Sequence, residues 1–161
     1  MFNFTVMNAK ERKRVLEQLE AQFGCDTAFL KEYVFLYKEN DGRVHIVTRE
    51  VAEELARGWR VDTVGLYVAT RLDNAELRLS IEGSQLVGPH ARKNVLEITN
   101  AEFQKWIRGN AIEKETDLQG FVIVKFGSDF CGCGKPVRDQ KTDVLSIHNY
   151  IPKTRYVRSE E

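Results

Sequence analysis

Two cysteines separated by one residue, Cys131 and Cys133, are the first candidates for chemistry in this sequence. A structural zinc site needs four ligands, commonly two Cys-x-x-Cys pairs. The other conceivable ligands, Cys25, His90 and His148, are scattered along the chain. No serine, cysteine or carboxylate stands at a suggestive spacing from a histidine, so a catalytic triad has no support. We expect no metal site; zinc binding or a redox role of the cysteine pair is the alternative.

Cofactor chemistry has no motif in the chain either. A Rossmann unit needs a glycine-rich turn after a strand and an acidic residue further on, within a strand–helix–strand layout. The sequence contains no such turn, and 161 residues leave no room for that domain beside the two units described below. We therefore expect no cofactor and no enzymatic activity.

Basic residues gather in the last third of the sequence, where they surround an aromatic residue, Tyr156. The whole chain carries 24 basic and 24 acidic residues, so its formal net charge is zero. A general polyanion binder usually has a basic excess, and any nucleic-acid contact must therefore use one local basic face. The alternative is that these cations are merely solvated and that Tyr156 belongs to the core. The basic residues are Arg108, Lys135, Arg138, Lys153, Arg155 and Arg158.

The first half of the sequence predicts a small antiparallel sheet with helices on one face. Asn8 and Glu11 have capping-box spacing and Gly24 can end a helix, which predicts a helix over residues 9–23. Asp41-Gly42 between two apolar runs predicts a hairpin. We place His45 on the outward side of its strand. The further predicted elements are strands 33–37, 43–47, 61–72 and 77–81 and a helix over 49–57.

The second half predicts strands around one short helix. Thr99 and Glu102 form another capping box that opens a helix ending near residue 107, and Gly109 follows as its terminator. The predicted strands are 95–98, 121–124 and 144–150. The segment 127–134, which contains both cysteines of the pair, is predicted to be a tight turn.

Glycine and proline mark residues 83–93 as the boundary between these halves. The segment is not a flexible Gly/Ser linker, so we expect the two units to pack together. We predict an α+β domain over residues 1–90 and a second domain over residues 91–161.

The second unit resembles the PUA domain, an RNA-binding domain named for pseudouridine synthases and archaeosine transglycosylases. The order strand, short helix, glycine, strand, glycine-containing turn and strand carries the resemblance. The strings that match are WIRGNAI (106–112), GFVIVKF (120–126), DFCGCGK (129–135) and NYIPKTRY (149–156). The last is similar to an Asn-x-x-Pro-Lys motif at the C-terminus of RNA cytosine methyltransferases of the Nol/Nop/Sun type.

Two groups of PUA proteins resemble the whole chain. The strings VHIVTREVAEELA (44–56) and LVGPHARKNV (86–95) are similar to the ribosome-biogenesis factors called nuclear import protein seven. The tail motif favours the C-terminal extension of the Nol/Nop/Sun methyltransferases, which also occurs as a stand-alone archaeal protein. Those enzymes use a cysteine nucleophile after proline, and no cysteine of this chain follows a proline. The chain therefore resembles their RNA-recognition part alone.

The resemblance implies a PUA-like mixed β-barrel with a short helix, and RNA lying across the helix–glycine turn and the last strand. It implies a non-catalytic protein that binds ribosomal RNA or its precursor during ribosome biogenesis. The alternative is an interaction adaptor or an RNA-targeting subunit, whose partner is a ribosome-assembly protein or a separate RNA methyltransferase. Tyr156 would stack a base. The implied RNA-binding residues are Arg108, Gly109, Asn110, Lys135, Arg138, Lys153, Arg155, Tyr156 and Arg158.

The sequence also predicts where the protein works. Its first residues mix polar and charged side chains too early for a signal peptide. No run of ~18 apolar residues occurs, so no membrane span is expected. Three cysteines, an odd number without secretory context, predict a reduced, cytoplasmic protein.

Overall fold

A computed structural model describes residues 4–158 and arranges them as a mixed α+β fold, with two five-stranded sheets and four α-helices in that part of the chain. The first sheet follows the chain order and is antiparallel throughout. Its strands are β1 (Phe4–Val6), β2 (Val34–Lys38), β3 (Arg43–Val47), β4 (Leu66–Arg71) and β5 (Leu77–Leu79). The hairpin predicted at Asp41-Gly42 is confirmed, since β2 and β3 pair directly across that turn.

Helices cover both faces of the first sheet, so the prediction of helices on one face is wrong. Helix α1 (Ala9–Phe23) has the predicted capping box and ends at Gly24, whose φ is +62°. Its buried residues pack in a core with Val44 and Ile46 of β3. Helix α2 (Arg49–Ala56) lies over the other face with the segment around Val64. Both sides of β3 are consequently buried.

His45 is a second correction that follows from this two-sided burial. Its side chain is only 4% exposed instead of facing outward. Nδ1 donates to the carbonyl of Val64 at 3.0 Å, and the ring of Phe4 stands edge-on at 4.8 Å. Nε2 has no hydrogen-bond partner among the described residues. Burial lowers the pKa of His45, because the charged imidazole loses its hydration there.

The predicted boundary segment is a helix, α3 (Ile81–Val87), followed by a 3₁₀ turn at Gly88–His90. Ile81 therefore does not extend the preceding strand. Ser80 caps the helix by accepting from the Gly83 amide at 2.8 Å. A Cβ at Gly83 would lie 1.9 Å from the Val68 carbonyl oxygen, so this glycine permits close packing and does not break structure. The helix lies against β4, in the first sheet, and against the strand Asp129–Arg138 of the second.

The second sheet is open, so the predicted closed barrel is not formed. Its strand order is β6-β8-β9-β10-β7, and all neighbours are antiparallel except β6 and β8. The strands are β6 (Val95–Glu97), β7 (Ile112–Glu113), β8 (Val122–Phe126), β9 (Asp129–Arg138) and β10 (Leu145–Asn149). Helix α4 (Asn100–Trp106) connects β6, at one edge of the sheet, to β7, at the other edge. The predicted capping box of this helix is confirmed.

The predicted turn over 127–134 is confined to two residues, and strand β9 starts at Asp129. Both cysteines of the pair therefore lie in a strand. Cys131 packs with the core under α4, and Cys133 packs with the core under α1. Gly134, after them, reflects close packing, since a Cβ there would lie 2.7 Å from Cγ2 of Ile147, whereas Gly132, between them, has a φ of +94°.

One core joins the two halves of the chain. Residues of α1 and of strands β2 to β5 share it with Phe121, Ile123 and Cys133. The expected packing of the two units is thereby confirmed. The division at residue 90 stays a prediction. No helix within residues 4–158 is both long enough and apolar enough to cross a membrane.

Candidate nucleic-acid interface

The end of helix α4 forms the centre of the candidate site. Trp106, its last residue, is completely buried and donates from Nε1 to the Cys131 carbonyl at 2.7 Å. This hydrogen bond anchors the helix end to strand β9. The chain then turns at Gly109, whose φ of +87° is disfavoured for residues with a side chain. Asn110 closes the turn by donating its amide to the Lys105 carbonyl at 3.1 Å.

The ring of Tyr156 lies directly on the backbone of Gly109. A Cβ at Gly109 would be 2.2 Å from Cζ of that ring, so no other residue permits this contact. Tyr156 is half-buried against the core under α4. The two readings that the sequence left open for Tyr156, core residue and surface ring, therefore both hold in part. The adjacent amide of Val157 donates to the Ile107 carbonyl at 2.9 Å and pins the tail to the turn.

Asn149 joins the turn to the last strand, a role that sequence reasoning missed. Its Nδ2 donates to the Trp106 carbonyl at 2.7 Å and to the Asn110 carbonyl at 3.1 Å. Its Oδ1 accepts the Ile151 amide at 2.8 Å. One side chain thus satisfies three backbone groups from two segments. The available signal was the asparagine that opens the tail motif at the end of a strand.

The cations around this turn differ in their partners. Arg108, Lys153 and Arg158 are exposed, and none of them forms an ion pair within residues 4–158. Arg108 donates to the Gln104 carbonyl at 2.6 Å, which caps the last turn of α4. We call Arg108, Gly109, Lys153, Tyr156 and Arg158 the Gly109 face.

Arg155 is held by a carboxylate from the other half of the chain. Its Nη1 lies 2.6 Å from Oε1 of Glu82, in the first turn of α3. Burial raises the pKa of Glu82, but the hydrogen bond from Arg155, a backbone hydrogen bond and the charge of Arg155 together outweigh it, and the pKa lies below its ordinary value. The pair is therefore ionised at neutral pH. Because Glu82 balances its charge, Arg155 adds less net charge to the face than Arg108, Lys153 and Arg158 do.

Two of the predicted site residues lie elsewhere. Arg138 is at the far end of β9, where it binds Glu115 at 2.8 Å and Asp143 at 3.5 Å. The hydrogen bond and charge of Glu115 raise the pKa of Arg138, and two carboxylates neutralise it. Lys135 projects from the opposite side of β9 to the Gly109 face, because side chains alternate along a strand. Its Nζ lies 5.0 Å above the ring of Phe121.

The three cysteines offer no activated thiol. Burial raises the pKa of Cys133 to about 12 and also raises the pKa values of Cys25 and Cys131. A nucleophilic cysteine needs the opposite shift, toward the thiolate. Cys131 and Cys133 pack in different cores, because a bulge in the β8–β9 pairing interrupts the alternation of side chains between them. No group of three potential metal ligands occurs within residues 4–158.

Comparison with known families identifies the domain that carries this face. Residues 93–155 match the model of a family described as the methyltransferase RsmF PUA domain. The chain contains a PUA domain. Helix α4, the Gly109 turn and strand β10 all lie within the match, as does most of the tail. A search of the curated proteins found none that matches the chain.

The matched family confirms the resemblance of the second half to a PUA domain. A PUA-like domain of the type found in RNA methyltransferases is present, and such a domain suggests RNA binding. The match covers well under half of the chain, and β1 to β5 lie outside it.

Proposed function

We propose that this protein binds RNA through the Gly109 face and is itself non-catalytic. The observation that carries the proposal is the convergence of three exposed cations, unpaired within residues 4–158, on a glycine turn that a half-buried tyrosine covers. Lysine and arginine hold phosphates, and the missing side chain of Gly109 lets the Tyr156 ring lie against the turn beside these cations. Tyr156 is half-exposed, so part of its ring is available to a base, and stacking on an aromatic residue contributes ~1–3 kcal/mol.

A triple substitution tests the Gly109 face. Arg108→Ala, Lys153→Ala and Arg158→Ala together remove the three free cations while leaving Tyr156, Asn149 and the Arg155–Glu82 pair in place. Affinity for single-stranded RNA should fall sharply. The slope of log affinity against log salt should become shallower by about 2, at ~0.7 for each phosphate contact. Fluorescence anisotropy at several salt concentrations measures both quantities.

The matched control removes the same charges elsewhere. Lys31, Arg49 and Arg60 are also exposed and free of ion pairs within the described residues. Their triple alanine variant has the same net charge as the test variant. Equal loss of affinity in both variants would show a general charge effect and would remove the assignment of the site.

We further propose that the RNA is ribosomal RNA or its precursor and that the protein acts in the cytoplasm during ribosome maturation. The resemblance of residues 44–56 and 86–95 to nuclear import protein seven supports this narrower statement, together with the methyltransferase-type PUA domain. Crosslinking in cells, followed by sequencing of the bound RNA, tests it. Recovery of mainly messenger RNA would contradict it.

The non-catalytic part of the proposal is supported by the raised thiol pKa values and by the lack of a cofactor-binding motif in the sequence. Purified protein incubated with RNA and a methyl donor should give no new modified nucleoside by mass spectrometry. A new methylated nucleoside that depends on the protein would overturn it.

A second candidate function is an adaptor that brings RNA to a separate methyltransferase or ribosome-assembly protein. Trp59, just after α2, is 64% exposed, and Val51 on α2 is 40% exposed. By contrast, the apolar residues Val15, Leu19 and Phe23 of α1 are buried and leave no docking surface on that helix. Nuclease-resistant co-purification with one such partner, lost on Trp59→Ala, would support the adaptor over a free-standing RNA binder.

A further inference from the structure

A second group of cations and aromatic rings lies on the side of β9 and β10 that is opposite to the Gly109 face. The guanidinium of Arg78 lies 4.9 Å above the ring of Tyr150. Tyr150 meets Phe121 edge-on at 5.6 Å, and Lys135 lies over Phe121 at 5.0 Å. His148, exposed, is the cross-strand neighbour of Lys135. We call Arg78, Phe121, Lys135, His148 and Tyr150 the Tyr150 patch.

The charges of the Tyr150 patch are not neutralised. Neither Arg78 nor Lys135 forms an ion pair with any residue in the described range 4–158. The neighbouring carboxylate, Glu76, accepts from Asn74 at 3.0 Å. Arg138, on the same strand as Lys135, shows the contrasting case of a cation held by two carboxylates. The patch therefore keeps its positive charge for an external anion.

The aromatic part of the patch consists of a buried ring, Phe121, and a half-exposed ring, Tyr150. Phe121 is 4% exposed and belongs to the shared core, so it holds Tyr150 in place. Tyr150 itself is half-buried, and its hydroxyl has no hydrogen-bond partner among the described residues. A half-exposed ring that contacts Phe121 edge-on and carries a guanidinium over one face forms a cation–aromatic pair on which unpaired bases stack.

The patch and the Gly109 face meet at the end of β10. Asn149 clamps the Gly109 turn, and the next residue along the chain is Tyr150. Consecutive Cα atoms are about 3.8 Å apart, so one short segment of chain presents both surfaces.

We propose that the Tyr150 patch is a second contact for single-stranded RNA. An unpaired base stacks on the Tyr150–Arg78 pair, and Lys135 and His148 face the adjoining phosphate. This inference rests on the proposed RNA-binding function and extends it, because Arg78 belongs to β5, outside the PUA domain. The first half of the chain thereby contributes directly to RNA affinity.

Arg78→Ala with Lys135→Ala tests the patch in the full chain. The probe is a fluorescent oligouridine of about 16 nucleotides, the upper end of the usual site size of single-strand binders. Its affinity should fall, and the salt slope should become shallower by about 1.4, for two contacts at ~0.7 each. The matched control is Arg49→Ala with Lys31→Ala, which should leave both quantities unchanged.

A second pair of variants separates stacking from charge. Tyr150→Leu removes the aromatic platform and should weaken oligouridine binding by about 5- to 100-fold. Tyr150→Phe keeps the ring and its contact with Phe121, and it should bind within about twofold of the parent, since stacking needs no hydroxyl. Unfolding curves for each variant show whether loss of binding is loss of fold. Because Tyr150→Phe preserves packing, its retained binding remains informative even if Tyr150→Leu unfolds.

The outcomes distinguish this inference from the function on which it rests. If the parent protein binds no RNA, the proposed function fails and the inference fails with it. If binding is lost in the Gly109-face variant but is unchanged in Arg78→Ala with Lys135→Ala, only the inference fails. An oligoglutamate that displaces oligouridine from the patch at equal concentration would indicate an acidic protein partner and would overturn the RNA assignment.

Discussion

The two sheets hold their polar groups in different ways. In the second half, all side-chain hydrogen bonds of Trp106 and Asn149 go to backbone carbonyl and amide groups, and these bonds fix the Gly109 turn. In the first sheet, His45 is buried with one of its ring nitrogens unsatisfied. Apolar burial and close backbone contacts stabilise both halves, as at Gly83 in the first and Gly134 in the second. In the second half, however, the hydrogen bonds of Trp106 and Asn149 converge on one surface, the Gly109 turn, and hold it in place. A rigid surface is what recognition of a ligand requires.

The largest expected effect comes from a side chain at Gly109. An alanine at positive φ costs about 1–2 kcal/mol, and overlap with the Tyr156 ring adds about 1–3 kcal/mol. Gly109→Ala should therefore lower the free energy of unfolding by about 2–5 kcal/mol in a urea titration. Gly58→Ala is the control from the first half, since Gly58 has a φ of +93° and nothing within 4 Å of its Cβ position. Equal losses at the two positions would show that the Tyr156 contact contributes nothing.

Removal of the Asn149 clamp should have the next largest effect. Asn149→Ala leaves two carbonyls and one amide without their partner, which costs about 1–3 kcal/mol in the free energy of unfolding. RNA affinity should fall as well, because the Gly109 turn is no longer tied to β10. Asn74→Ala is the matched change in the first half, where the exposed side chain binds Glu76 alone, donating to its carboxylate at 3.0 Å and accepting from its backbone amide at 3.1 Å. A stability loss in Asn149→Ala no greater than in Asn74→Ala would contradict the clamp.

The buried histidine of the first sheet predicts a dependence on pH. Because the pKa of His45 is lowered in the folded state, the unfolded chain binds the proton more tightly. The contribution of neutral His45 to the free energy of unfolding is fully present above the ordinary histidine pKa of about 6.5. It is lost as pH falls toward the lower pKa that His45 has in the folded state. The free energy of unfolding should thus decrease between about pH 6.5 and pH 5. His45→Phe should flatten this decrease, whereas His148→Gln, at an exposed position, should not.

The smallest expected effect is at the ion pair between the two halves. Glu82→Gln should change the free energy of unfolding by less than about 1 kcal/mol, since the pair is partly exposed. It also releases Arg155, so the salt slope of RNA binding should become steeper by up to ~0.7. A double variant with Arg155→Ala should lose that increase. An unchanged slope in Glu82→Gln would place Arg155 outside the RNA contact.

Much of the local structure could be predicted from the sequence. The capping boxes at Asn8 and Thr99 and the Asp41-Gly42 hairpin were all confirmed, because each depends on residues within three or four positions of one another. Glycines were less reliable. The sequence predicts that Gly83 belongs to a boundary segment and Gly134 to a turn, but both mark places where another segment approaches the backbone closely. The second segment is distant in sequence, so no local pattern reveals the contact.

The sequence by itself determined three of the four α-helices within residues 4–158, the Asp41-Gly42 hairpin, the type of the second domain and the group of residues around Gly109. Only the tertiary structure decided which cations are free. Glu82 and Arg155 are 73 residues apart, and Arg138 and Glu115 are 23 apart, yet each pair is in contact. The tertiary structure likewise decided that Lys135 faces Phe121 and not the Gly109 turn. The physical reason is that backbone preferences act over a few residues, whereas the charge of a surface depends on side chains that folding brings together.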